Sequence, residues 1–355
     1  MTIRSIRVLV VEDSQVEREL LLHILSAAPL IGRVTVAVNG EEAVEAACRE
    51  RPDVVTMDIH MPKLDGVEAT RRIMERCPVP IVVISASEGY GPEGENAFRA
   101  LEAGALALVR KPAGIGHPSY REEVDKLLQA IELMSEVKVV RRWSSRPAPK
   151  PASRARAPLP LKLVAIGASA GGPLALQCLL SGLPSGFPLP LLIVQHLSPG
   201  FAQGFAAWLQ GTTGFPVEVA VEGEQVLPGH AYLAPDGAHL GVAGDRRIVL
   251  SREPPDEGLR PSVAHLFRSV GRVFGADAVG VLLSGMGRDG AVELKSLKDR
   301  GALTLVQDGD SALINGMPGE AASLGGASHV LPPERIAGFL ADLASKTSRM
   351  GDQRP

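Results

Sequence analysis

Two groups of residues in this 355-residue chain have types and spacing that suit chemistry. The first is Gly167-Ala168-Ser169-Ala170-Gly171-Gly172, a G-x-S-x-G turn that follows the apolar run Leu163 to Ile166 and precedes Pro173. A buried strand, a sharp turn and a helix with proline at its first position are expected there, and the turn would push the Ser169 hydroxyl outward. Small neighbours let a substrate carbonyl approach the backbone. Two readings stay open for the turn taken alone: a serine nucleophile, or a glycine-rich loop cradling a phosphate at a helix N-terminus. The dinucleotide fingerprint fits poorly, because its second glycine would fall on Ser169. The second group is Glu12, Asp13, Asp58, Ser85 and Lys111.

The elements that must position the second group alternate between strand and helix. Ile6 to Val11, Val34 to Val38, Val54 to Met57, Ile81 to Ile84 and Ala107 to Val109 read as strands, with amphipathic helical patterns between them. Such alternation predicts a doubly wound parallel sheet with its site at the carboxyl ends of the strands. All five polar residues fall on those ends. Three converging carboxylates repel one another and raise each other's pKa, which a hard cation such as Mg²⁺ would relieve. Lys111 and the Ser85 hydroxyl then suit a phosphoryl group, and a carboxylate nucleophile would form an aspartyl phosphate. Each acid taken singly could instead cap a helix.

The second half repeats the pattern. Leu189 to Val194 ends in Gln195-His196, and Ala278 to Leu283 runs into Ser284-Gly285-Met286-Gly287-Arg288-Asp289-Gly290. Residues 228–237 and 248–250 suggest a β-ribbon added to the sheet. Ser169, His196 and Asp289 each terminate a different strand on one edge, as members of a nucleophile, base and orienter set would. Taken singly, His196 reads as a core histidine and Asp289 as a turn residue. The order Ser, His, Asp differs from that of the α/β-hydrolases. Ser284 is set aside, Ser262 is read as a helix N-cap and His265 as a surface position.

A net charge of −3 gives no global signal for nucleic acid or an anionic membrane. No long apolar run suggests membrane insertion or a secretory signal. Cys48, Cys77 and Cys178 read as buried reduced thiols, which points to the cytoplasm. No C-x-x-C or H-E-x-x-H spacing suggests a zinc site. From Arg141 to Lys162 the chain holds basic residues and prolines without an acid, the composition of an extended tether. A last helix, Val124 to Val140, precedes it.

VVEDS at 10–14, DVVTMDIHMPKLDG at 53–66, ISA at 84–86 and KP at 111–112 resemble a two-component receiver domain. That resemblance implies a flavodoxin-like fold, phosphorylation of Asp58 by a histidine kinase, Mg²⁺ held by Glu12, Asp13 and Asp58, and Ser85 and Lys111 as switch residues. Leu108 stands where receivers often carry an aromatic switch residue. GASAGG at 167–172, VQHL at 194–197, PGHAYLAPDGAHL at 228–240, RPSV at 260–263, LLSGMGRDG at 282–290 and GMP at 316–318 resemble the chemotaxis protein-glutamate methylesterase (CheB) family. This second resemblance implies a Rossmann-like domain that hydrolyses methyl-glutamate esters on methyl-accepting chemoreceptors, and deamidates some glutamines, without a cofactor for ester hydrolysis. It assigns Ser169 as nucleophile, His196 as general base and acid, Asp289 as orienter, and the backbone N–H groups of Met286 and Ala170 to the oxyanion. An unphosphorylated receiver would cover the site. Ala170, Ala264 and Gly309 depart from residues frequent in the family. The expected division is a receiver over 1–125, a linker over 126–160, a catalytic domain over 161–346 and a tail over 347–355. A phosphorylation-dependent receptor-binding module without turnover is the alternative, and a DNA-binding regulator lacks any helix-turn-helix.

Overall fold

A computed structural model describes residues 5–86, 91–137 and 161–351, so the tether lies almost wholly outside the described residues. The chain divides into two compact units, Met1–Lys150 and Pro151–Pro355.

The first unit runs β1 (Ile6–Val11), α1 (Gln15–Ala27), β2 (Ile31–Ala37), α2 (Gly40–Glu50), β3 (Val54–Asp58), α3 (Gly66–Arg76), β4 (Ile81–Ser85), α4 (Gly91–Glu102), β5 (Ala107–Arg110) and α5 (Tyr120–Ser135). Its strands are all parallel in the order β2-β1-β3-β4-β5, the flavodoxin-like arrangement. Every residue of β3 and β4 is buried, as expected of central strands covered on both faces by helices. Strand order reverses between β1 and β3, and this opens a crevice at their carboxyl ends. Ser14, Asn39 and Asp65 cap α1, α2 and α3, each with a glutamate three residues on, so these helices do not use Glu12, Asp13 or Asp58 as caps. Gly66 lets α3 begin against β3, since a Cβ there would meet the Asp58 carbonyl oxygen at 2.0 Å.

Two expectations change here. Cys48 and Cys77 form a disulfide rather than reduced thiols, because Cys48 lies in α2 and Cys77 at the end of the adjacent α3, with their Cα atoms 5.3 Å apart. The redox argument for a cytoplasmic location therefore falls; Cys178 lies outside this disulfide. The last helix begins at Tyr120 rather than Val124 and ends at Ser135, its first turn being polar and hidden from apolar periodicity.

The second unit runs β6 (Leu163–Ala168), α6 (Gly172–Ser181), β7 (Leu191–Gln195), α7 (Ala202–Thr213), β8 (Val217–Val219), β9 (Ala231–Leu233), β10 (His239–Val242), β11 (Ile248–Ser251), α8 (Val263–Val273), β12 (Ala278–Leu282), α9 (Ala291–Asp299), β13 (Leu303–Gln307), α10 (Met317–Ser323), β14 (His329–Leu331) and α11 (Pro333–Gly351). Seven parallel strands form its sheet in the order β14-β13-β12-β6-β7-β9-β8. The antiparallel ribbon consists of β10 and β11 alone. Ala231–Leu233, which the sequence suggested as part of that ribbon, is instead a buried parallel strand between β7 and β8. Its three apolar residues are too few to distinguish the two by periodicity. The final helix also continues past residue 346, the expected domain end, to Gly351.

The core joins this sheet to α8. Val263, Leu266, Phe267 and Val270 recur at helical spacing and are fully buried with Leu163, Leu282 and Leu240. Fully buried leucine and phenylalanine side chains contribute about 1.5–3 kcal/mol each. That packing fixes the start of α8, and what α8 begins against is the site.

Candidate functional site

Strand order in the second unit reverses between β6 and β12, so a crevice opens where the loops after β6, β7 and β12 meet. Ser169 follows β6, His196 follows β7, and Asp289 lies beyond β12. The serine turn is tied to both neighbouring strand ends. The Ser169 N–H donates to the Ser284 carbonyl (3.0 Å) and the His196 N–H to the Ala168 carbonyl (3.0 Å). The Ser169 carbonyl accepts from Gly172 N–H (2.8 Å) and from Gln195 Nε2 (2.8 Å). Gly171 sits at φ 78° and begins α6, and a Cβ at Gly172 would lie 2.1 Å from Gln195 Oε1. Glycine is needed at 171 for the left-handed turn and at 172 for the close approach.

His196 Nε2 lies 2.9 Å from Asp289 Oδ2, and both side chains are largely buried. With Nε2 bound to the carboxylate, Nδ1 is the nitrogen left for proton transfer. Among the described residues Ser169 Oγ makes no hydrogen bond, so its contact with Nδ1 is one that substrate would have to complete.

The start of α8 holds Asp289. Oδ1 accepts from Ser262 Oγ (3.0 Å) and the Ala264 N–H (2.9 Å), and Oδ2 accepts from the Val263 N–H (2.7 Å) as well as from His196. Burial pushes this carboxyl up, but His196 and the two backbone N–H groups outweigh it and hold the pKa below the usual carboxylate value. The positive end of the helix dipole acts in the same direction. Ser262 does cap α8, accepting from the His265 N–H at 3.3 Å, yet it also donates to Asp289. His265 is not a surface residue: its side chain is 15% exposed and stacks on His239.

Ser284, set aside on sequence, ties three loops together. Its Oγ lies 2.8 Å from the Ala170 carbonyl and accepts from the Ile314 N–H at 3.0 Å, while its own N–H donates to Gln307 Oε1 at 2.8 Å. The loop carrying Met286 is thereby brought against the serine; a Cβ on Gly285 would stand 2.9 Å from Ser169 Cβ. The backbone N–H groups of Ala170 and Met286 are given to no acceptor among the described residues. Gln195, Ser262 and Ser284 each act through another residue, and no linear spacing marks them. Ser262 lies within the RPSV motif, which was its one signal.

In the first unit Glu12, Asp13 and Asp58 converge, and each offers an oxygen within 4.8 Å of the others'. The Lys111 ammonium lies 2.9 Å from Glu12 Oε2 and 3.0 Å from Asp58 Oδ1, and it also pairs with Glu17, which the sequence reading did not include. Glu17 reads as a capping-box glutamate, and that role hid this one. Ser85 ends β4, buried, with its carbonyl bound to the Lys111 N–H at 2.9 Å. Burial pushes Glu12 up to about 7 despite the Lys111 ammonium, and it raises Asp58 too. Burial lowers Lys111, but its contacts with Glu17, Glu12 and Asp58 prevail and raise it. Glu12 Oε2 is buried without an aligned hydrogen-bond donor. Three carboxylates in an all-oxygen set, with the lysine as their one close cation among the described residues, fit a Mg²⁺ ion.

Comparisons with known proteins agree with this division. Residues 164–340 match the family model of the CheB methylesterase, and residues 8–119 match that of the response regulator receiver domain. The chain is 51% identical over 347 residues to a protein-glutamate methylesterase/protein-glutamine glutaminase of Nitrosospira multiformis, covering 96% of this chain and 98% of the relative. It is 52% identical over 344 residues to a like-named protein of Geobacter metallireducens, covering 96% and 99%. The crystal structure of the Thermotoga maritima CheB methylesterase catalytic domain is similar with a TM-score of 0.50 and 33% identity, over 52% of this chain and 98% of that one. With a receiver sheet, a seven-stranded parallel catalytic sheet and full-length relatives at half identity, the chain belongs to the CheB methylesterase family, its catalytic domain preceded by a response regulator receiver domain.

Proposed function

We propose that this chain is a phosphorylation-regulated serine hydrolase that demethylates methyl-glutamate side chains of chemoreceptors and deamidates receptor glutamines. The bond between His196 Nε2 and Asp289 Oδ2, at 2.9 Å beside the part-buried turn of Ser169, carries the reading. Asp289 holds the proton on Nε2 and leaves the Nδ1 lone pair free. His196 Nδ1 takes the proton of Ser169 Oγ as the oxygen attacks the ester carbonyl carbon. Charge then develops on the carbonyl oxygen, where the N–H groups of Met286 and Ala170 receive it; one such donor is typically worth about 10²–10³ in rate. Collapse breaks the bond to the methoxy oxygen, which leaves as methanol with the proton from Nδ1. Water, deprotonated by the same nitrogen, attacks the acyl-enzyme, releasing glutamate and restoring Ser169. With a glutamine side chain the leaving group is ammonia.

In the receiver Asp58 accepts the phosphoryl group, from a histidine kinase. Glu12, Asp13 and Asp58 would hold Mg²⁺, which when bound supplies charge neutralisation at that group. Lys111 and Ser85 are positioned at the strand ends to contact the phosphoryl oxygens. We place the enzyme in the cytoplasm, with the kinase and the methylated parts of its receptors; no described helix is long and apolar enough to cross a membrane.

Methanol release from methylated receptor, with and without a small-molecule phosphodonor, tests the proposal. Ser169→Ala should abolish turnover and labelling by an active-serine probe. Equal turnover by that variant would remove Ser169 from its role. Activity indifferent to phosphodonor would sink the regulation. Receptor binding with neither labelling nor methanol release would instead favour a binding module.

A further inference from the structure

Away from the serine crevice, three potential metal ligands converge where the β10–β11 ribbon meets α8. His239 opens β10 and is completely buried. Its Nε2 lies 3.3 Å from the Pro254 carbonyl, whereas its Nδ1 is buried without any hydrogen-bond partner. The His265 ring, from the first turn of α8, stacks on it with centroids 4.5 Å apart. Asp256, in the segment between β11 and α8, brings a carboxylate to the same place, and one donor atom from each residue lies within 4.8 Å of the other two. Neutral imidazole nitrogens with a carboxylate oxygen are the donor set of borderline divalent ions, Zn²⁺ foremost.

We propose that His239, His265 and Asp256 form a binding site for a divalent transition-metal ion of the Zn²⁺ class, which fastens the ribbon and the segment after it to the start of α8. Ligands on a tetrahedral Zn²⁺ lie roughly 3.4 Å apart, so the three donors must close by about an ångström, and the His265 ring must turn out of its near-parallel stack on His239 to bring one ion into both ring planes. His265 and Asp256 are partly exposed and have room to do so. Burial and the neighbouring His239 ring keep His265 below its ordinary pKa, which favours the neutral ligand form. Two groups compete for the site: Arg268 pairs with Asp256, and Glu253 lies 3.7 Å from His265 Nδ1. The three ligands come from separate elements, which is why no short sequence spacing announces them.

The site adjoins the donors that hold Asp289, since Ser262, Val263 and Ala264 immediately precede His265. Its test nonetheless needs no activity. Calorimetric titration of the full chain with Zn²⁺, in saturating Mg²⁺ to occupy the receiver carboxylates, should give one site per chain. His265→Gln and Asp256→Asn should each weaken it by at least about tenfold, and the Zn²⁺-induced rise in unfolding temperature should vanish with them. The visible absorption of a Co²⁺ complex should show tetrahedral coordination in the parent and lose it in both variants. Both substituted side chains are partly exposed, so these variants should fold; circular dichroism checks this. Absence of a Zn²⁺ site in the parent would overturn the proposal. So would binding that persists undiminished in the two variants, which would place the metal elsewhere.

Discussion

Asp289→Asn exchanges one oxygen of the orienting carboxylate for an NH₂ group at nearly constant volume, and the four bonds to Asp289 determine its effect. Every group around that carboxylate is a donor: His196 Nε2, the N–H groups of Val263 and Ala264, and Ser262 Oγ. If the amide nitrogen replaces Oδ2, it faces the Val263 N–H, which cannot reverse; if it replaces Oδ1, it faces that of Ala264. The serine hydroxyl can turn to accept, but neither backbone donor can. Facing Oδ2 of the carboxylate, His196 carries its proton on Nε2. Facing an amide N–H, it must accept there and carry the proton on Nδ1, where the base is needed. An asparagine in the corresponding role lowers kcat about 10⁴-fold in other serine hydrolases. With the amide nitrogen in the Oδ2 position beside His196, a loss of about 10³–10⁴ is expected, equivalent to about 4–5.5 kcal/mol of transition-state stabilisation. The unmet donor should also destabilise the domain by about 1–3 kcal/mol. Methanol release from methylated receptor gives the rate, and urea unfolding of the same preparation gives the stability. A folded variant within tenfold of the parental kcat would refute the tautomer argument, and so would a raised KM at unchanged kcat.

Ser262→Ala removes the α8 cap and one donor to Asp289 while leaving the two backbone donors. It should therefore cost about 1 kcal/mol of stability in the same unfolding measurement and lower kcat far less than Asp289→Asn does. Because Asp289 is held below its ordinary pKa, the stability it contributes is present above the unfolded carboxylate value of about 3.9 and is lost as pH falls through the lower folded value. The stability gap between parent and Asp289→Asn should accordingly be steady near neutrality and close in acid below about pH 4, as urea midpoints across that range would show. Gly66→Ala would drive a Cβ into the Asp58 carbonyl oxygen, 2.0 Å away, and should displace β3 or α3 and impair phosphorylation of Asp58, read by incorporation from a radiolabelled phosphodonor. Reducing the bond between Cys48 and Cys77, which closes a loop of sequence separation 29, should lower the unfolding free energy of the receiver by about 3.5 kcal/mol on the chain-entropy account, measurable by urea titration with and without dithiothreitol.

Much of both sheets was legible because a parallel strand covered on both faces must be apolar along its length. Leu163 to Ile166 and Ala278 to Leu282 declare themselves in this way, and the chain's polar residues then mark where each strand stops. Much of the candidate site was legible for the same reason, since Ser169 and His196 come where apolar strands stop and Asp289 lies in the glycine-bearing loop after another. What stayed hidden was whatever depends on packing between distant segments. Ala231–Leu233 is too short to reveal its parallel partners. Cys48 and Cys77 meet only because α2 and α3 lie side by side. Ser262 looks like any helix cap until α8 is laid against the loop after β12, and His265 looks exposed until the ribbon is folded over it.

The two carboxylate sites in this chain treat burial in opposite ways, and the difference corresponds to what each must do. Asp289 is buried but surrounded by donors that do not leave, namely a helix start, a hydroxyl and an imidazole. Its charge is thus fixed at neutral pH, as the proposed orienting role requires, and a permanent anion beside His196 would stabilise an imidazolium formed there in the proposed mechanism. Glu12 and Asp58 are buried with one lysine between them, and that single cation does not offset the desolvation of both. A site in that condition is under-compensated in positive charge, and it gains most from an added dication. A receiver carboxylate that remained as well satisfied as Asp289 would have little to gain from Mg²⁺ and less reason to become a nucleophile. In the proposed roles, the same residue type would serve as a fixed strut in one domain and as a chargeable acceptor in the other, and the number of donors aimed at it would separate the two.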